Sequence, residues 1–319
     1  MMVRRTLLVA AALSVVALSG GTAEAAWPER SVNYIIPFNP GGESDVTARL
    51  QQPYFQQITG QQLVIQYQTG AGGAQAWSQL NGMEGDGYTI MGTNLPHLIL
   101  QPMTTNAGYE TDEISNVFWF HFTPDAILVP KASEFQTLQD LIEHAKANPG
   151  LVTFSGSGTN SANHLAHQQF DRLAGVTTTY IPFSGTAPSV TAAVGGQVTA
   201  AMGYTTIAAQ QSESLRMLAV ATEERLETFP DVPTFKELGL DIVGGAYRGI
   251  AVPSSTPEDI RRQISDVIGK INQDPGFVRQ MEEAGFVVTD IPYEKVPEFM
   301  AQQKAEVREI AEAMGIVTD

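Results

Sequence analysis

The chain contains no cysteine. Disulfides and thiolate metal ligands are therefore excluded, and a compartment that permits disulfides does not demand them. With no Cys after the N-terminal apolar run, no lipid anchor is expected either. Basic residues are scarce: 18 Lys and Arg stand against 34 Asp and Glu, a formal net charge of −16. Such a field disfavours nucleic acid and anionic membrane surfaces, so neither is expected as a partner. An anionic ligand stays possible, because the diffuse field is screened within about 8–10 Å and a few oriented N–H groups outweigh it locally. Beyond the N-terminus no apolar run approaches the ~20 residues of a membrane span. G-x-S-x-G, a Walker loop and H-E-x-x-H are all missing, so no catalytic residue is assigned. Internal repeats, low-complexity tracts and long linkers are missing too.

What is present starts with a leader. Arg4 and Arg5 precede a short apolar run, and Ala23-Glu24-Ala25 forms an A-x-A site. Residues 1–25 are thus expected to be a cleaved secretory signal peptide, leaving a chain that begins Ala26-Trp27-Pro28. A membrane anchor is the competing reading, and the apolar run is too short for it.

Apolar runs at 32–38, 63–68, 88–92, 126–129, 152–154, 178–183, 198–204, 216–221 and 250–252 alternate with helical patterns. This is the pattern of an α/β fold with mostly parallel sheets. Thr256-Pro257-Glu258-Asp259 reads as an N-cap, a Pro at the first helical position and an acidic first turn, and that helix should stop by Asp274-Pro275. A last helix from Pro297 to Met314 places Phe299, Met300, Val307, Ile310 and Met314 on one stripe, a core face, with Gly315 as its C-cap.

Two strand–loop–helix turns carry candidate chemistry. The first runs Pro37-Phe38-Asn39-Pro40-Gly41-Gly42-Glu43-Ser44-Asp45, where glycines let backbone approach a ligand and the following helix N-terminus favours an anion. Pro53 should break or kink that helix after about two turns. The second runs Ser155-Gly156-Ser157-Gly158-Thr159-Asn160-Ser161 into a helix carrying His164 and offers short uncharged donors. Each turn alone also reads as a tight turn satisfying its own backbone. Together, topping different lobes, they would face one another across a cleft at the carboxyl ends of strands. Gly156-x-Gly158-x-x-Ser161 lacks the third glycine of a dinucleotide fingerprint, and no cofactor is expected.

His164 and His167 sit three apart, but no third ligand completes a metal site; His164 is expected to pack beside the loop and His167 to be solvated. Arg248, before the apolar strand at 250–252, has two open readings: a hinge position that takes a carboxylate in bidentate fashion, or a salt bridge.

The sequence resembles the substrate-binding receptors of tripartite tricarboxylate transporters, the TctC or Bug family. The resemblance spans essentially the whole mature chain. It rests on Trp27-Pro28-Glu29-Arg30, the Pro37–Gly42 turn with Asp45 and Ala48-Arg49, Gly70-Ala71-Gly72-Gly73, Asp86-Gly87-Tyr88-Thr89 and Ala145–Gly150. It continues through Gly156–Thr159, His164-Leu165-Ala166, Ile181–Gly185, Gly195–Val198, Pro230–Thr234 and Gly249–Pro253. It implies a bilobal periplasmic binding protein fold, with residues 26–125 plus 249–319 in lobe 1 and 126–248 in lobe 2. It also implies a small carboxylate ligand, a di- or tricarboxylate such as citrate or another organic acid, delivered to a two-component permease driven by an ion gradient. The ligand-binding residues expected on this basis are Phe38, Pro40, Gly41, Gly42, Ser44 and Asp45 in the first turn, and Ser157, Gly158, Thr159, Asn160, Ser161 and His164 in the second. Thr93, Asn94, Tyr204 and Arg248 are expected in the distal pocket. The protein is expected to act as a monomer in the periplasm; presentation of the ligand to a sensor kinase, and hydrolysis in the cleft, are the alternatives. Tyr247, where the family often has Trp, and Pro53 depart from the family pattern and leave ligand identity open.

Overall fold

A computed structural model describes residues 27–317, so the expected leader at 1–25 lies outside the described residues. Along the chain run β1 (Val32–Ile36), α1 (Glu43–Thr59), β2 (Leu63–Tyr67), α2 (Ala74–Leu80), β3 (Thr89–Leu95), α3 (His97–Thr104), β4 (Ser115–Pro130), α4 (Leu138–Ala147), β5 (Thr153–Gly156) and α5 (Ala162–Ala174). Then follow β6 (Thr179–Pro182), α6 (Thr186–Val194), β7 (Ala200–Tyr204), α7 (Thr205–Gln210), β8 (Leu215–Val220), β9 (Gly245–Val252), α8 (Glu258–Asn272), α9 (Pro275–Glu283), β10 (Val287–Ile291) and α10 (Val296–Ala313).

The strands order as β2-β1-β3-β9-β4-β7-β5-β6, with β10 and β8 also paired to β4. The parallel pairs lie at the two ends: β1 with β2 and β3, and β5 with β6 and β7. Every antiparallel pair involves β4 or β9, the two strands that run through the middle. β4 changes partner within one residue step: Pro124 still faces Gly245 of β9, while Asp125 faces Tyr204 of β7. Gly245 permits this, because a Cβ there would lie 2.1 Å from the Thr123 carbonyl oxygen.

Each half has its own core. Tyr34, Trp77, Phe118, Trp119 and Phe277 pack with α8, α9 and α10 on the β1–β3–β9 side. Phe154, Phe170 and Phe235 fill one face of the β5–β7 side, and Ala201, Ile207 and Met217 the other. The α10 stripe is core as expected: Met300 and Val307 are buried, and Phe299, Ile310 and Met314 pack against them.

Three local expectations need correction. α1 runs unbroken through Pro53, which sits on its exposed face, so the Arg49 carbonyl that loses its donor is on the solvent side. Pro257 is the N-cap of α8 rather than its first helical residue, and no side chain caps it. His167 is buried, not solvated: its Nε2 lies 2.7 Å from Thr178 Oγ1 and its ring packs on Phe154 and Tyr180.

Candidate functional site

The first glycine turn is built for an open helix end. Gly41 takes φ +78°, a left-handed conformation costly for residues with a Cβ. Its N–H donates to Asp45 Oδ2 at 2.7 Å, and Asp45 Oδ1 accepts from Tyr67 Oη at 2.6 Å while pairing with Arg49 at 2.9 Å. Asp45 therefore braces the turn from behind. Gly42 is the N-cap, and no side chain caps α1, so its first N–H groups remain for a ligand.

The second turn is braced likewise. Ser161 caps α5 by accepting from the His164 N–H at 3.1 Å, and its hydroxyl donates to the Gly158 carbonyl at 2.7 Å. The Asn160 N–H donates to His164 Nδ1 at 3.2 Å, and the His164 ring tilts on Tyr180 with centroids 4.7 Å apart. Ser157 N–H donates to Asn163 Oδ1, and Asn163 Nδ2 donates to Asp125 Oδ1 at 2.8 Å, which ties the turn to the point where β4 changes partner.

A third turn, unanticipated, joins them. After β6, Ser184-Gly185 leads into α6, again without a capping side chain. Asn39 Nδ2 of the first turn donates to Ser184 Oγ at 3.1 Å.

Where these turns meet lies a narrow pocket lined by Phe38, Gly42, Glu43, Ser44, Asn94, His97, Ser157, Thr186, Tyr204 and Arg248. The space left between them is about one water molecule in size. Four buried polar atoms on its walls have no hydrogen-bond partner: Glu43 Oε2, His97 Nδ1, Ser157 Oγ and Tyr204 Oη. Ser157 Oγ and Tyr204 Oη are neighbours without good hydrogen-bond geometry to each other. Orphaned polar atoms are rare in folded interiors, and four converging on one pocket point to a polar ligand.

Arg248 forms the floor. Its Nη1 donates to the Ala246 carbonyl at 2.8 Å, and its guanidinium lies 4.9 Å from the Tyr204 ring centroid. With the Asn94 amide turned to satisfy both its ends, Asn94 Oδ1 accepts from Arg248 Nε at 3.0 Å. Burial, with Arg248 nearby, holds His97 neutral, lowered to about 3. Burial raises the Glu43 carboxyl, against the pull of Arg248 and Thr206.

Seven expected residues thus reach the pocket: Phe38, Gly42, Ser44, Asn94, Ser157, Tyr204 and Arg248. Gly158, Thr159 and Asn160 instead line a hollow at the cleft mouth. There Gln101 Nε2 donates to the Thr159 carbonyl at 3.0 Å and Asn160 Nδ2 to Thr104 Oγ1 at 2.6 Å, latching the second turn to α3. Pro40 and Gly41 are exposed at the rim. Thr93 lies behind the wall, donating to Asn116 Oδ1 at 2.9 Å, and Asp45, Ser161 and His164 act as braces. Tyr247 packs on Phe122 and Phe299 away from the pocket. Glu43, His97 and Thr186 were not anticipated. The signal for Thr186 was present, since Ser184-Gly185-Thr186 repeats the strand–glycine–helix form of the other turns. A further hollow between α3 and α10 lies on the outer surface, where Lys304 pairs with Asp112 at 2.6 Å.

This α/β architecture, two sheet halves with a polar pocket where strands give way to helix N-termini, is that of a bilobal periplasmic binding protein. BugD, a periplasmic binding protein of known structure, superposes with a TM-score of 0.86 at 27% identity, covering 92% of this chain and 100% of BugD. MatC from Rhodopseudomonas palustris, solved with bound malate, gives 0.82 at 26% identity over 92% and 100%. The family model described as tripartite tricarboxylate transporter family receptor, TctC, matches residues 47–316. The chain belongs to that family and is a solute-binding receptor of the TctC/Bug type. Among its relatives are a UPF0065 protein of the gbd 5' region of Cupriavidus necator, 28% identical over 96% of this chain and 94% of the relative, and the protein BugT of Bordetella pertussis, 29% identical over 73% and 74%. Among the described residues no helix is long and apolar enough to cross a membrane.

Proposed function

We propose that the protein captures a small carboxylate between two lobes, residues 26–125 plus 249–319 and residues 126–248, and delivers it to a two-component membrane permease driven by an ion gradient. Removal of residues 1–25 as a signal peptide releases it into the periplasm, where it works as a monomer without lipid anchor or cofactor. The observation that carries the reading is the convergence of the uncapped α1 N-terminus with Ser157, Tyr204 and Arg248 around one narrow, unsatisfied polar pocket. The malate bound to MatC supports a small organic acid as the ligand class.

Ligand oxygens that accept from Gly42–Ser44 backbone on one lobe and from Ser157 and Tyr204 on the other stabilise the closed form, because only that form offers both sets of donors. β4, which pairs with both halves, and the return of the chain at Gly244 just before β9 are the hinge. The test is calorimetric titration of residues 26–319, stripped of carried-over ligand by unfolding and refolding, with carboxylates and their amides. One-to-one binding of an acid, lost on amidation, is expected. Binding of neutral solutes in place of every acid would overturn the reading.

A further inference from the structure

Glu43 is an acid where a carboxylate receptor has least use for one. In the first turn of a helix an acid ordinarily favours the dipole from the solvated surface. Here the side chain is 5% exposed and points into the pocket. Its Oε1 accepts from Thr206 Oγ1 on α7, across the cleft; its Oε2 lies 3.7 Å from Arg248 Nη2, and although the Thr123 hydroxyl is also near the carboxylate, no donor reaches Oε2 in hydrogen-bond geometry. Burying a charge costs several kcal/mol unless its lone pairs are satisfied, and this one is left half satisfied.

The surroundings hold no spare positive charge. Among the described residues Arg248 is the one buried cation lining the pocket, and it faces the carboxyl groups of Glu43 and Asp125. Two of its N–H groups go to Ala246 and Asn94, and its Nη2 is turned toward Glu43. His97 and His121 are held neutral by burial and by Arg248 itself. A second anionic group brought beside Glu43 meets a carboxylate in a low-dielectric site, where like charges repel strongly. A protonated amine does the reverse: it brings three donors and no acceptor. The unpartnered Glu43 Oε2, which can only accept, suits those donors, while the α1 N–H groups and the Ser157 and Tyr204 hydroxyls suit a carboxylate.

We propose that Glu43 is a specificity-determining residue that selects a carboxylate also carrying a protonated amino group, its Oε2 accepting from the ammonium while the α1 N-terminus takes the carboxylate. The proposal rests on the carboxylate reading and narrows it to small amino acids and their like.

The experiment titrates the stripped protein with two isosteric series, succinate, malate and aspartate, and propionate, lactate and alanine, in which hydrogen, hydroxyl and ammonium replace one another at C2. At least one amino member is expected to bind tenfold or more tighter than its hydroxyl counterpart. Glu43→Gln, which keeps the Thr206 contact, is expected to abolish that preference and to raise affinity for the hydroxyl acids. Acids binding without regard to the amino group, or an amino preference that survives Glu43→Gln, overturns the proposal and leaves the carboxylate reading standing. No binding in either series also overturns the proposal, while the carboxylate reading is then decided separately by the wider panel of acids and their amides. The ranking in the unmodified protein does not depend on how well the variant folds.

Discussion

Glu43 on α1 and Arg248 on β9 meet in the pocket floor, Oε2 to Nη2 at 3.7 Å, each side chain no more than 5% exposed. Breaking a buried pair from one side strands the other charge, at a cost of about 3–5 kcal/mol. Arg248→Gln is expected to destabilise the protein by about that amount. Glu43→Gln in the same chain should restore a substantial part. Urea denaturation of the two single variants and the double variant checks this; strict additivity would show that the pair is not coupled.

Asp125 sits where β4 leaves β9 for β7, with Oδ1 accepting from Asn163. Burial pushes its carboxyl up to about 7, against the pull of Asn163 and Arg248. The unfolded value is about 3.9, so across the window from about 4 to 7 the folded state holds a proton the unfolded state has lost. At this site stability therefore falls as pH rises through that window. Asp125→Asn cannot titrate and keeps the bond from Asn163. Its melting temperature should exceed that of the unmodified protein at about pH 8, by an amount worth a few kcal/mol, and the difference should vanish near about pH 4. Equal gains at both pH values would contradict the assignment.

Gly42 takes an ordinary extended conformation, so its role is close approach rather than φ. A Cβ there would meet the Asn39 carbonyl oxygen at 3.4 Å and Thr186 Cβ at 3.9 Å, contacts an alanine can make. Gly42→Ala is expected to keep affinity within a few-fold. Gly42→Leu drives further carbons into Thr186 on the facing turn and should abolish binding while the melting temperature changes little. Calorimetry with thermal melting separates the two effects, and unchanged affinity in the leucine variant would remove the first turn from the site.

Ser157 Oγ has no partner within the fold. Ser157→Val should leave stability intact or raised, because no hydrogen bond is lost, and weaken ligand binding by about 1–2 kcal/mol. Unchanged affinity would leave backbone groups alone as the second turn's contribution.

The sequence shows the scaffold more readily than the site. Apolar runs such as 32–38 and 178–183 become strands because four or five β-favouring residues lie between glycine and proline breaks. The first half of β4 was not legible: Pro124 and His121 interrupt its apolar pattern, and Pro argues against a central strand. It is tolerated because the ladder changes partner there. β10 was missed because it is short and only partly buried along its length. Gly42 and Ser157 were visible because glycine and hydroxyls between a strand and a helix have few uses. Glu43 was not, since an acid in a first helical turn looks solvated until Arg248, from the far end of the chain, is folded against it.

The central claim is that a carboxylate is clamped between the Gly42 and Ser157 turns. A crystal structure of the stripped protein reloaded with its tightest-binding acid tests that most directly. The account predicts ligand density between the α1 N-terminus and Ser157, within hydrogen-bond distance of both, with Tyr204 and Arg248 beneath it. Density confined to the outer hollow between α3 and α10, or to one lobe alone with the cleft open, would contradict it.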